Sequence, residues 1–244
     1  MSRKSLWISI FILLVLLTAL GTSGWYSLKH EPAFYLQADT HRLPDRRKES
    51  RQFEQTFNRF IADVRFERQW QAQWTDQQIN CWLVEDFINS NMHQWLPEGI
   101  RDPRVQLRGN EICLGLRYGS GEWSAVVSLT LKVWLAPREP NVIMVEVQQF
   151  RIGSIPLTIK LLQDEVSQRV KDQSIKVHWY RHEGNPVAVV RLQADKREPT
   201  YLLQTLQITQ GMIHIQGKSL DPELRGPPKV PNPTSSSTTT ASSK

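Results

Sequence analysis

From residue 124 to 135 (SAVVSLTLKVWL) apolar and polar side chains alternate, the pattern of a β-strand with one buried face. Ala125, Val127, Leu129, Leu131, Val133 and Leu135 share one side. Ser124, Ser128, Thr130 and Lys132 share the other, with Val126 and Trp134 as apolar exceptions. The same period appears upstream at Val105 and Leu107, then, past a Gly109-Asn110 turn, at Ile112, Leu114 and Leu116. Gly119-Ser120-Gly121 marks the next turn. Downstream, residues 137–141 turn the chain and 142–152 (VIMVEVQQFRI) return as a strand. Runs of this kind joined by short turns predict an antiparallel meander. Further strands are expected at 175–180, 187–192, and in a pair, 203–208 and 212–215, around Gly211.

Elsewhere the period is helical. Phe53, Phe57, Phe60, Ile61 and Val64 recur at steps of three and four, predicting an amphipathic helix over 50–66 whose aromatic stripe belongs to the core. A short apolar stretch around Trp70 and Trp74 follows. Thr75-Asp76-Gln77-Gln78 then reads as a capping box. It opens a second helix that carries Ile79, Leu83, Phe87 and Ile88 on one face, with Pro97 and Gly99 ending it. Gly153-Ser154-Ile155-Pro156 breaks the sheet, and Ile159, Leu162, Val166 and Val170 predict a third helix over 159–171.

At the N-terminus the 24 residues between Lys4 and Lys29 carry no charge, and 6–20 are almost wholly Leu, Ile, Val, Phe and Trp. At about 1.5 Å per residue such a helix covers a hydrocarbon core of about 30 Å. Trp7 and the Trp25-Tyr26 pair fall where interfacial aromatics belong. A transmembrane anchor is expected over 1–28. The alternative is a signal peptide with Arg3 and Lys4 as its basic start and Ala19-Leu20-Gly21 as its cleavage site. Residues 29–49 contain two prolines and no sustained period, as a juxtamembrane linker would. Residues 50–220 form the folded domain, and the Pro/Ser/Thr-rich 221–244 should be disordered. The fold class is therefore α+β: an N-terminal transmembrane helix, two helices, and a long antiparallel β-meander with an inserted helix. The short N-terminal flank favours a single-pass protein of the cell membrane with its C-terminal domain outside the cytoplasm.

Composition adds little chemistry. The formal charge of +6 is too modest to call for nucleic acid, and none is expected as a partner. Cys81 and Cys113 lack metal-site spacing, and as a pair they are either buried thiols or, in an oxidising compartment, one disulfide. No phosphate loop, nucleophile elbow, HExxH or CxxC occurs. His178 and His182 would share a face of a strand but stand about 13 Å apart, with no third ligand. Glu146 lies alone on a mixed strand face, where solvent is the bland account. Neither a catalytic site nor a metal or other cofactor is expected. Nine tryptophans suggest stacking platforms, but Trp70, Trp74, Trp82 and Trp95 lie beside the helical stripes, where packing explains them better.

Three features together resemble the YpmS-like family of bacterial single-pass membrane proteins: the N-terminal anchor, the segment WTDQQINCWL (residues 74–83) and the phrase FRIGSIPLTIKLLQDEV (150–166). The chain has Ile79-Asn80 where the family commonly has Leu-Asn, and Thr158 where it tends to have a second proline. The resemblance implies topology more than activity. By analogy it is similar to tubular lipid-binding folds, in which a curved antiparallel sheet wraps a helix.

These readings lead to a non-enzymatic envelope protein, held at the membrane by its N-terminal helix, that binds lipid or another hydrophobic ligand on the apolar face of its sheet. The residues expected to line that face are Val127, Leu129, Leu131, Val133 and Leu135, continued by Val142, Met144 and Val145. Two alternatives stand beside it. Helices 53–64 and 159–170 could cover the face and leave no groove. The protein could also be a structural or assembly factor docking on another envelope protein through a strand edge or its tail.

Overall fold

A computed structural model describes residues 3–41, 43–87, 98–171, 177–193 and 199–220 of the chain. Helix α1 spans Arg3–Lys29. Its Phe11–Lys29 stretch has a mean hydropathy of 1.7 and none of the apolar window is buried, so it is long and apolar enough to cross a membrane. The next segment holds a short helix, α2 (Ala33–Gln37), and leads into α3 (Arg46–Phe66). Strand β1 (Gln69–Thr75) runs directly into α4 (Asp76–Trp82) through the expected capping box, and a π-helical turn over Leu83–Phe87 extends α4.

The meander follows as β2 (Ile100–Arg108), β3 (Glu111–Tyr118), β4 (Ala125–Leu135) and β5 (Val142–Ile152), with the two-residue strand β6 (Ile155–Pro156) beside β5. Gly109 and Asn110 both have positive φ (50° and 71°), the backbone a two-residue hairpin needs to match strand twist. Helix α5 (Ile159–Lys171) is inserted, and β7 (Val177–His182), β8 (Asn185–Arg191), β9 (Tyr201–Thr209) and β10 (Met212–Ser219) complete the order. The α+β reading and its large antiparallel sheet are what the structure contains.

The strands form two sheets. The large one has the order β2-β3-β4-β5-β8-β7 with β6 alongside β5. The small one has the order β1-β10-β9. Trp70 and Trp74 therefore lie on a strand rather than in a helical region. A seven-residue run with Gln at every other position (QWQAQWT) alternates, but it is short and abuts a helix cap. The outcome for packing is the expected one. Phe53 and Phe57 of α3 pack at a tilt against Trp74, and Phe60 meets both Trp74 and Trp70 edge-on at 5.4 Å. Residues 88–97, with Ile88 and Trp95, and the tail 221–244 lie outside the described residues.

The small sheet lies across one end of the large one. Asn141, in the turn between β4 and β5, donates to Tyr201 O at 2.6 Å and accepts from Leu203 N at 2.8 Å. Asn110, in the turn between β2 and β3, donates from its backbone to Ile208 O at 3.1 Å. Strand β9 thus runs from one hairpin tip to the other. The open side of β2 is closed by α4. Asn80 donates to Val105 O (2.7 Å) and accepts from Val105 N (2.8 Å), and Asp76 accepts from Leu107 N (3.3 Å). The Asp76 carboxylate and the Asn80 carboxamide, one helical turn apart, satisfy an edge that would otherwise be orphaned.

An apolar face between the hairpin tips and the helix α1 exit

The registers define which residues share a face. Starting at the end next to α1, the rows across β3, β4 and β5 are Leu116-Val127-Ile152, Leu114-Leu129-Phe150 and Ile112-Leu131-Val147. Two further rows reach β8 and β7: Val133-Val145-Ala188-Trp179 and Leu135-Ile143-Val190-Val177. Five rows at two residues per step make a continuous apolar strip about 27 Å long. All five residues expected from the sequence, Val127, Leu129, Leu131, Val133 and Leu135, lie in it.

Their continuation on β5 differs from the expectation. Ile143, Val145 and Val147 share the face, whereas Val142 and Met144 point to the other side. The register slips between Thr130 and Leu131, where Gln148 is the extra residue on β5, and this bulge decides which alternate set of β5 is apolar-facing.

The strip is incompletely covered. Of its residues Val147 and Ala188 are buried, and the rest are only half-buried. Past Ala125 (7 % exposed), the buried positions of β4 lie on the opposite face, Val126 at 1 % and Ser128 at 7 % exposure. The cause is a segment read from sequence as a linker. Tyr35 of α2, fully buried, lies on Gly115 of β3, where a Cβ would overlap its ring. Gly115 pairs with Ser128, so two small residues leave the recess that the tyrosine fills.

Charge fixes Tyr35 there. Its hydroxyl lies 2.8 Å from Asp102 O and 2.9 Å from Asp102 Oδ2, and the Arg104 guanidinium sits 4.4 Å from its ring centre. Arg104 donates to Tyr35 O (2.8 Å) and Asp102 Oδ2 (2.9 Å), and Arg117 pairs with Glu31 at 2.7 Å. Burial, then the Asp102 carboxylate, pushes the Tyr35 hydroxyl well above its ordinary range, so it remains a neutral donor. The cluster is a clasp whose members are committed to one another.

Helix α3 packs on the small sheet through its aromatic stripe, and its C-terminal half meets the far end of the strip. There Phe60, Ile61 and Val64 of α3, Trp70, Leu203, Leu206 and Ile215 of the small sheet, and Ile143 of β5 line a cavity of about 480 Å³, with Arg65 on its wall. The volume and lining suit an apolar small molecule or an acyl chain. Ile143 belongs to both the cavity and the last row of the strip. Sequence reasoning missed the cavity residues as a site. Their periodicity was visible, but only the crossing of β9 over the hairpin tips brings them to Ile143. A smaller recess of about 200 Å³ beside α4 is polar, and the carboxylates in its wall are engaged, Asp76 with Leu107 N and Asp39 with His41 N.

Other candidate groups are structural in their contacts. Glu146 is buried at 4 % exposure and accepts from Asn185 Nδ2 at 2.7 Å, so it is not a solvated acid. Cys81 and Cys113 are separate buried thiols, and burial pushes both above the ordinary thiol range. His178 and His182 both lie on β7, and among the described residues no three His, Cys, Asp or Glu side chains cluster as a metal site would require. Compared with known proteins, the chain matches no family model, no curated protein and no solved structure.

Proposed function

We propose that this is a non-enzymatic, membrane-anchored envelope protein whose domain lies outside the cytoplasm and binds lipid or another hydrophobic ligand along the apolar strip. One observation carries the reading: most of the five-row strip is half-open, while the opposite face is buried at Gly115 and Ser128 beneath Tyr35. An ordinary sheet core would bury the apolar face first, since each Å² of apolar surface left in water costs about 25 cal/mol. The strip leads from the end of α1 to the cavity under α3, a path suited to an extended chain. The likeness to the YpmS-like family, carried by the sequence phrases alone, agrees with this reading.

The test is native mass spectrometry of residues 25–226, which keep the contacts of Trp25, Ser27 and Lys29, with organic extraction of whatever co-purifies. A stoichiometric lipid-sized adduct is expected, falling at least about tenfold in Leu129→Asp or Leu131→Asp, because a carboxylate in an acyl-chain contact costs well over 1.4 kcal/mol. Both positions are half-buried, so circular dichroism should show an intact fold. A clean apo mass that stays unchanged after incubation with membrane lipids refutes the ligand reading.

A docking factor is the second reading. Strand β7 ends the large sheet and has no helical cover like that of α4 on β2 among the described residues, which leaves an edge for strand addition. A ligand-free protein that captures one specific envelope partner, and loses it when Trp179→Pro disrupts β7, would favour that role.

A further inference from the structure

We propose that the loop between β3 and β4 is a second membrane contact, with Trp123 seated in the lipid–water interface beside the exit of α1. The proposal rests on reading α1 as a membrane anchor, and its partner is the lipid surface itself. Trp123, on a single 3₁₀ turn (Gly121–Trp123), is 79 % exposed, more than Leu20 on the apolar helix at 69 %. A lone exposed tryptophan needs no explanation. This one stands against Trp25 of α1, ring centres 5.2 Å apart and edge to face.

The last turn of α1 is clamped to the same end of the domain. Lys29 Nζ donates to Glu122 O and, at 3.2 Å, to Ser124 O. Ser27 O accepts from Ser154 N at 2.9 Å and Ser154 Oγ at 3.1 Å. Gly153, at φ 60°, lets the helix end approach so closely that any Cβ would overlap the carbonyls of Ser27 and Leu28. Trp25 precedes Lys29 by four residues, about 6 Å toward the apolar side of the helix. The clamp therefore holds Trp123 at the depth of Trp25, where an indole buries its ring and keeps its N–H wet.

Neighbouring side chains continue the contact. Tyr26, next to Trp25, is 76 % exposed, and Tyr118, at the end of β3 opposite Ala125, is 51 % exposed. With this end of the domain on the bilayer, the first row of the strip, Leu116-Val127-Ile152, abuts the lipid, which gives an acyl chain a way in without crossing water.

The experiment uses the full chain in vesicles of phosphatidylethanolamine and phosphatidylglycerol. A polarity-sensitive fluorophore is attached at Trp123→Cys, at Ser120→Cys (same loop, Trp123 kept) and at Gln210→Cys in the β9–β10 turn at the far end. Cys81 and Cys113 are fully buried and stay unlabelled in the folded protein. Loop labels should be quenched by lipids spin-labelled near the headgroup and be severalfold less accessible to aqueous iodide than the label at 210. If Trp123→Cys does not fold, the Ser120→Cys label decides. Equal iodide access at both ends, with no quenching by lipid, overturns the seat. Alkaline extraction of the same vesicles separates the two readings. Release of the protein defeats the anchor and the seat together, whereas retention with water-exposed loop labels defeats the seat alone.

Discussion

Replacing Asn80 by Ala removes the side chain that, among the described residues, satisfies Val105's outward-facing backbone. The side chain is 3 % exposed and makes two short hydrogen bonds, 2.7 Å to Val105 O and 2.8 Å from Val105 N. Each buried group left unsatisfied costs about 1–3 kcal/mol. The two groups together cost about 2–6 kcal/mol and alanine's better helix propensity returns about 0.5 kcal/mol, so a net loss of about 2–5 kcal/mol is expected. At about 2–4 °C per kcal/mol for a domain of this size, that lowers Tm by about 4–20 °C. Near-ultraviolet circular dichroism of the full chain in detergent, at one scan rate, reads the shift through the packed tryptophans. Gln77→Ala, on the exposed side of the same helix, is the control and should stay within about 0.5 kcal/mol of the parent. Asn80→Asp sharpens the argument. At neutral pH its carboxylate can accept from Val105 N but repels Val105 O, whereas the protonated acid can donate to that oxygen. Its folded pKa is therefore raised, and stability present at acid pH is lost as pH rises above the ordinary carboxyl value of about 4. A Tm for Asn80→Ala within about 2 °C of Gln77→Ala would refute the role assigned to the edge closure.

Gly115→Ala should destabilise by about 1–3 kcal/mol, because its Cβ overlaps the Tyr35 ring; in a Tyr35→Ala background the same change should cost much less, and an additive double-mutant cycle would contradict the packing described. Leu129→Asp and Leu131→Asp should release co-purifying lipid while preserving the circular dichroism spectrum. Cys81 and Cys113 should resist iodoacetamide at pH 8 in the folded protein and react once it is unfolded, since burial both shields the sulfurs and holds their pKa above the ordinary range, keeping the thiolate fraction below that of an exposed cysteine; mass spectrometry counting two adducts on the native chain would exclude that environment.

Much of the architecture is legible along the chain because its signals are local. The alternation over 125–135, the Gly109-Asn110 hairpin and the Thr75 capping box each involve neighbours a few residues apart, and each is present where it was read. Helix α3 begins at Arg46 instead of residue 50, four residues into the segment read as a linker, since polar residues in an exposed first turn leave no periodic trace. Strand β1 was missed because its partner, β10, is supplied by the other end of the domain. The segment 29–49 lacks a period for a similar reason. Tyr35 finds its place through one glycine and two arginines contributed by β2 and β3, not through a repeating face.

By itself, then, the sequence determined the α+β class, the long apolar N-terminal helix, and the five β4 residues that share an apolar face, because side-chain period follows from backbone geometry. Only the tertiary structure decided that this face stays half-open. That outcome depends on a bulge at Gln148 setting the register of β5, on Tyr35 packing on the opposite side of the sheet at Gly115, and on β9 crossing the hairpin tips to seat α3 over a cavity. Each is a contact between segments far apart in the chain, and such contacts are chosen by shape and unsatisfied polar groups that no local pattern encodes.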